Sequence, residues 1–425
     1  MKRVYLYFVI IVSIKLIDTF LPYWPFNAIP YFWNSMKLIA LIGLVYGLIK
    51  AKNHVIQRTA IAGVTLIVLL AAYFAGFAGR LPDPVGTPGF TGSSSNLSTT
   101  IIASTLDASM EESSNVIWCA SFLAAWKVLA EEIAEEPILS EGNPENTLAL
   151  NQAIDPRNYI PEECLYSAAG RNQNGVINQI ASELAQKFPG KSPPVFSGIA
   201  PDSIVAYSYL EVNLPFSLPY FQNREPLIFM DSNGTESAVS SFGIRTEDDY
   251  AYFKLRKQIE VLQVKRDERF ELEECILDLD HTSSPNQLIL AIIDPQPTLA
   301  KTLTVLQEKM DQAKANDYHS EFGPNDVLLV PDIVFQISHR FHELENLPFE
   351  NAKLKGLSLD VAQQDISFRL DRHGAELRAE SKIHFLPIPT HFIFDRPFLI
   401  CMKKRSEKTP FFVMWIDNAE LLTKW

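Results

Sequence analysis

The chain is poor in cysteine. Its 425 residues hold four, Cys119, Cys164, Cys275 and Cys401, with no C-x-x-C pair among them. That spacing argues against a zinc site. Two disulfides, in any of three connectivities, are open to it in an oxidising compartment, and four buried free thiols are the plainer reading. Phosphate loops are missing as well. Gly190-Lys-Ser192 resembles the end of one, but Ala185 stands where the pattern needs glycine. Neither a G-x-S-x-G nucleophile motif nor a glycine-rich dinucleotide fingerprint is present. No internal repeat or low-complexity tract occurs. No enzyme chemistry, cofactor or resident metal is implied.

Basic charge is also scarce, except at one end. Residues 1–80 hold eight Lys or Arg and a single acid, Asp18, for a net of +7. The whole chain carries −13, which leaves −20 for residues 81–425. So acidic a region repels nucleic acid and anionic membrane surfaces, so DNA, RNA and heparin-like partners are set aside.

What residues 1–80 do have is long apolar runs. Residues 60–79 form an uncharged stretch that, as a helix, spans roughly 30 Å, the thickness of a bilayer core. Residues 4–20 are a second candidate span, in which Lys15 and Asp18 stand at i and i+3. Residues 30–49 are a third, led by the interfacial aromatics Tyr31, Phe32 and Trp33. Lys50, Lys52 and Arg58 precede the firm span and only Arg80 follows it closely, so everything beyond residue 80 is expected outside the cytoplasm. A cleaved signal peptide is disfavoured, because further apolar segments follow residue 20 without a small-residue cleavage site. Membrane is therefore an expected partner, and an integral membrane protein with an extracytoplasmic domain the expected localisation.

Residues 81–95, rich in Pro, Gly and Ser, read as a tether, and a soluble domain is expected over 96–425. Helical spacing is read over Leu97–Met110, Ala120–Ala134, Val176–Phe188 and Thr298–Ala313. Strands are read over Val205–Leu210, Pro226–Met230, Gln258–Val264, Leu288–Ile293, Phe335–His342, Gln364–Leu370, Phe398–Lys403 and Phe411–Trp415. Asp231-Ser-Asn-Gly234 suits a tight hairpin. The mixture predicts an α+β domain with large antiparallel sheets. His339 and His342, on a strand, face opposite sides and cannot share a metal. Asp278, Asp280 and His281 read as a solvated strand end.

The run from Phe394 through Arg396-Pro397-Phe398 to Ile416 resembles the close of the serpin family. Further resemblances follow the chain in order. They lie at Asn115–Ser121 with the helix after it, Leu214-Pro-Phe216, Glu225–Gly234, Val330-Pro-Asp-Ile-Val-Phe335, Phe349–Gly356 and Phe368–Glu376. Departures accompany them. Cys119-Ala120 replaces the usual Ser-Pro, which unsettles the hydrogen bonds the family makes there. Val176–Phe188 and Pro194-Val-Phe196 resemble one helix and its following strand. From chain length, the helix that crosses the family's main sheet is expected to be missing, leaving that face less covered.

The resemblance implies a metastable fold, not an enzyme, with its chemistry in one exposed loop. The implied hinge comprises Gly374, Ala375, Glu376, Leu377 and Ala379. The implied bait region comprises Phe385, Leu386, Pro387, Ile388 and Pro389. Over 375–385 small or apolar residues alternate with charged ones, the pattern of a half-buried strand. The scissile bond falls at Ile388-Pro389 or Leu386-Pro387, depending on the end from which the match is made. Either bond precedes proline, which lacks an N–H and locks φ. A non-inhibitory binding module is therefore expected. The alternative is a serine-protease inhibitor acting by loop insertion, cut at His384-Phe385 or Phe385-Leu386. Its partner would be a serine protease or another extracytoplasmic protein.

Overall fold

The chain divides into two units, Met1–Gly86 and Thr87–Trp425. The computed structural model describes residues 89–141, 144–196, 198–213, 216, 218–245, 254–281, 285–316, 320–372 and 390–425. All of these lie in the second unit. The three candidate spans, 4–20, 30–49 and 60–79, lie outside the described residues. Among the described residues, no helix is long and apolar enough to cross a membrane.

In chain order the strands are β1 (Phe90–Ser93), β2 (Thr100–Ala103), β3 (Asn115–Cys119), β4 (Leu165–Arg171), β5 (Ile204–Asn213), β6 (Phe221–Gln222), β7 (Leu227–Met230), β8 (Glu236–Val239), β9 (Ser241–Ile244) and β10 (Glu260–Arg266). There follow β11 (Leu272–Asp278), β12 (Asn286–Ile292), β13 (Ser320–Glu321), β14 (Val327–Pro331), β15 (Ile333–Arg340), β16 (Leu359–Leu370), β17 (His391–Ile393), β18 (Phe398–Lys404) and β19 (Phe412–Ile416). The α-helices are α1 (Ser121–Val128), α2 (Pro144–Gln152), α3 (Val176–Lys187) and α4 (Leu299–Ala315).

Among the described residues, five strands make the main sheet, in the order β1-β15-β16-β5-β4. Eight make a second, β13-β10-β11-β12-β18-β19-β3-β2. A four-stranded sheet, β17-β14-β9-β6, and the hairpin β7-β8 complete the set. The α+β mixture is as expected, but the sheets are mixed. β1 with β15, β2 with β3, β14 with β17 and β16 with β5 are parallel pairs.

Burial explains the strand sequences. β3, β12 and β19 are buried at every residue, and Val116–Cys119, Leu288–Ile292 and Phe412–Ile416 accordingly read as apolar runs. β16 alternates and sends Ala362, Ile366 and Phe368 into the main core, while Val361 joins a second cluster. Phe368 stacks on Phe412 of β19 at 4.7 Å and 12°, which locks the two large sheets face to face. α1 contributes Phe122, Leu123, Ala124, Ala125 and Trp126 to the same core. Past Val128 its coil widens to a π-turn over Leu129–Ala134 and stops at Glu135, which is left-handed at φ 60°.

Several expectations need correction. Leu97–Met110 is not helical; its Thr100-Ile-Ile-Ala103 core is β2, as β-branched residues favour. The tether expected to end at 95 already contains β1, which pairs with Phe335–Ser338 of β15. Pro194-Val-Phe196 is not a strand, and Val195 is 89% exposed. The helix read over Val176–Phe188 is present as α3, on the main sheet. α3 places Val176, Ile180 and Leu184 on Tyr166, Tyr207 and Tyr209, covering β4 and β5 from outside. β15 ends at Arg340, two residues before the expected limit. Asp278 and Asp280 are buried, not solvated.

Candidate functional site

The centre of the main sheet is a parallel seam. β5 and β16 run alongside each other from Ile204↔Leu359 to Asn213↔Arg369, joined directly by backbone ladder. On either side their other neighbours, β4 and β15, are antiparallel. An added strand running opposite to both would turn one parallel contact into two antiparallel ones, the slightly more stable arrangement.

Side chains tie the seam on both faces. On the outer face Tyr207 Oη of β5 donates to Asp365 Oδ2 of β16 at 2.8 Å. Asp365 Oδ1 also accepts from Gln363 Nε2 at 3.0 Å, and Gln363 in turn reaches Ser338 Oγ of β15 at 3.1 Å. Burial holds the Asp365 carboxyl above its ordinary pKa, and these hydrogen bonds oppose that rise. Lys191 Nζ forms a third link, 3.4 Å from Glu211 of β5 and 3.4 Å from Ser367 Oγ of β16.

On the inner face a polar row interrupts the apolar core. Gln364 Nε2 donates to Ser121 Oγ at 2.8 Å and to the Cys119 carbonyl at 3.1 Å. Ser121 Oγ lies 3.3 Å from Ser208 Oγ of β5 and 3.2 Å from Cys119 Sγ. Burial pushes the Cys119 thiol up to about 11, so it stays protonated. Cys119-Ala120 therefore does not leave the region without polar ties. Ser121, at the start of α1, joins the two sides of the seam through Gln364 and Ser208. Gln364 Oε1 is buried without a hydrogen-bond partner. Sequence reading did not single out Gln364, Ser121 or Ser208. One signal was available: Gln364 sits at an inward position of a strand whose inward neighbours are apolar.

Both ends of segment 373–389 are fixed. At the first, the Arg372 carbonyl accepts from Tyr220 N at 2.9 Å, and Arg369 pairs with Asp371 at 2.7 Å. At the second, Thr390 N donates to Asp326 Oδ1 at 2.7 Å and Val327 N to the Thr390 carbonyl at 2.9 Å. Arg266 bonds the Thr390 hydroxyl. The hinge residues Gly374, Ala375, Glu376, Leu377 and Ala379 lie outside the described residues. So do Phe385, Leu386, Pro387, Ile388 and Pro389.

Glu260, Asp278 and His281 bring donor atoms within 4.8 Å of one another. Their partners make this an ion-pair network. Asp278 is paired with Arg405 and accepts from Gln287, and His281 Nδ1 lies 2.7 Å from Glu260. The four cysteines are buried and unbonded to one another.

No protein-family model matches the chain, and no curated protein does. Similar solved structures include mouse protein-Z dependent protease inhibitor, at TM-score 0.47 and 13% identity over 73% of this chain and 91% of that one. Thyroxine-binding globulin in complex with thyroxine gives 0.44 and 13%, over 72% and 92%. A highly specific serpin of the insect Tenebrio molitor gives 0.42 and 11%, over 72% and 92%.

Proposed function

We propose that this chain is a membrane-anchored, serpin-like protein whose acidic domain stands on the extracytoplasmic side and serves as a non-inhibitory protein-binding module. The observation that carries the reading is the clasped seam. Tyr207–Asp365, the Lys191 bridge and the Ser121–Gln364–Ser208 cluster must all part before a strand can enter between β5 and β16. The alternation of charges over 375–385 and the prolines after the bait bonds point the same way, towards a loop that stays out. No catalytic group is invoked.

A second reading has one observation in its favour. The central pair is parallel between antiparallel neighbours, and this is where a returning strand would gain most. On that reading the protein is a serine-type endopeptidase inhibitor with its bait between Ile383 and Thr390.

The test mixes the full-length chain, purified in detergent, with chymotrypsin-, elastase- and subtilisin-like proteases. Denaturing gels then separate the readings. A binding module gives resistance or simple nicking, with little change in melting after the cut. A band at the summed mass that survives SDS, with a large gain in thermal stability of nicked chains, overturns it in favour of the inhibitor.

A further inference from the structure

The pairing of β1 with β15 covers Phe335 to Ser338 only. β15 runs on to Arg340, so among the described residues its last two have no strand partner on that edge. The chain meanwhile arches from β1 through a short turn at Ser94–Asn96 to reach β2 in the other large sheet. Between the arch and the strand end lies a cavity of about 430 Å³.

Its lining runs against the charge of the domain. Ser93, Ser94, Ser95, Thr100, Ser338 and Gln363 line it; of these Thr100 already donates to Glu420, and Ser338 and Gln363 are bonded to Asp365. Arg340, His339 and His342 supply the rest of the polar wall, and no carboxylate lines it. The two histidines share this cavity, contrary to the opposite-face expectation, because Phe341 (φ −83°, ψ 76°) turns the chain out of the strand before His342.

Buried Glu345 holds Arg340 and His342 in place. Its carboxylate accepts from Arg340 Nε at 2.8 Å, His342 Nδ1 at 2.8 Å and Ala362 N at 3.0 Å. Arg340 Nη2 donates to the Asp360 carbonyl at 2.8 Å. That leaves Arg340 Nη1 and His342 Nε2 without a hydrogen bond among the described residues. On the opposite wall His339 Nδ1 meets Ser94 Oγ at 2.7 Å, and its ring packs edge-on against Phe341 at 4.6 Å.

We propose that this cavity binds a small tetrahedral oxyanion, a phosphate or sulfate group, between Arg340, His342 and the Ser95 hydroxyl. A guanidinium fixed by a buried carboxylate, with an imidazole and a hydroxyl beside it, suits oxygens that need several donors at once. The surrounding charge of −20 over residues 81–425 selects against polyanions, so one such group enters, not a chain of them. Two other uses fit less well. A metal would find only the two imidazoles, which belong to no group of three ligating side chains among the described residues. The Ser94–His339 pair is no nucleophile and base, because burial lowers His339 to about 4 and no carboxylate backs its ring.

The test is calorimetric titration of the full-length chain in detergent and low-salt buffer, with inorganic phosphate, inorganic sulfate and glycerol 3-phosphate in separate runs. Saturable millimolar or tighter binding of one or more supports the site. Tighter binding of glycerol 3-phosphate assigns the group to an organic phosphate ester, and equal or weaker binding assigns it to the free anion. His342→Gln and Ser95→Ala, at solvent-facing positions, are each expected to weaken binding about tenfold or more with unchanged melting. Lys265→Gln, outside the lining, is expected to leave it unchanged. Heat that does not saturate, or binding indifferent to both lining substitutions, overturns the proposal. So does saturation by zinc that depends on His342 while the anions give none.

Discussion

Tyr207→Phe is the cleanest probe of the seam, because it deletes one oxygen and leaves the ring. The ring contacts remain available, 6.2 Å from Tyr166 and 5.9 Å from Phe196. What goes is the 2.8 Å bond to Asp365, a half-buried carboxyl between strands. Leaving such a charged acceptor short of a donor costs about 1–3 kcal/mol. If that loss falls on local opening of the seam, amide exchange of β5 and β16 should rise about 5- to 150-fold, since about 1.4 kcal/mol is a factor of ten. Asp365 also sets a sign. Its folded pKa lies above the ordinary carboxyl value, so its contribution is fullest below about 3.9 and falls as pH rises through the raised value. Tyr207 is among the groups that lower that pKa, so the deficit of Tyr207→Phe should grow from acid to neutral pH. Asp365→Asn removes the charge and should flatten this dependence in both backgrounds. Hydrogen exchange by mass spectrometry and urea unfolding of the full-length chain at pH 4 and pH 7 read out each arm. Unchanged exchange in β5 and β16, or a deficit that shrinks towards neutral pH, would refute the reasoning.

Three further outcomes are expected. Gly243→Ala should cost several kcal/mol, enough to abolish soluble yield, because a Cβ there would lie 1.8 Å from the Leu328 carbonyl oxygen; near-wild-type expression and melting would count against the β9–β14 contact. His339, lowered to about 4 by burial and then by His342, favours the folded state while neutral. Its contribution is whole above about 6.5 and is lost as pH falls towards 4, so unfolding at pH 5 should be easier than at pH 7.5 by about 1–2 kcal/mol, allowing for partial exposure; His339→Gln should lose most of that difference in parallel melts. Val195→Cys should react with a membrane-impermeant maleimide on intact cells, against low background from four buried native cysteines; labelling only after lysis would place the domain on the cytoplasmic side.

Much of the fold was legible where burial is complete or strictly periodic. The apolar runs read as strands over Leu288–Ile293 and Phe411–Trp415 fall on β12 and β19, each buried at every residue. α3 and α4 follow 3.6-residue spacing and lie within three residues of their expected limits. β4 escaped notice because Leu-Tyr-Ser-Ala-Ala-Gly-Arg has small residues where alternation would need contrast. The π-turn after α1 and the end of β15 at Arg340 depend on local backbone choices that periodicity does not encode.

The amino-acid sequence by itself determined the division of charge, the apolar N-terminal runs, the α+β class and the strands of the double-sided core. These follow from composition and from spacing within a few residues. The tertiary structure alone decided that Ile204–Asn213 lies parallel to Leu359–Leu370, that α3 packs on Tyr166, Tyr207 and Tyr209, and that Ser121 joins Gln364 to Ser208. It alone brought Ser94 to His339, some 245 positions apart along the chain. Such contacts join segments far apart in sequence, and their partners are selected by the packing of whole sheets, which no local window contains.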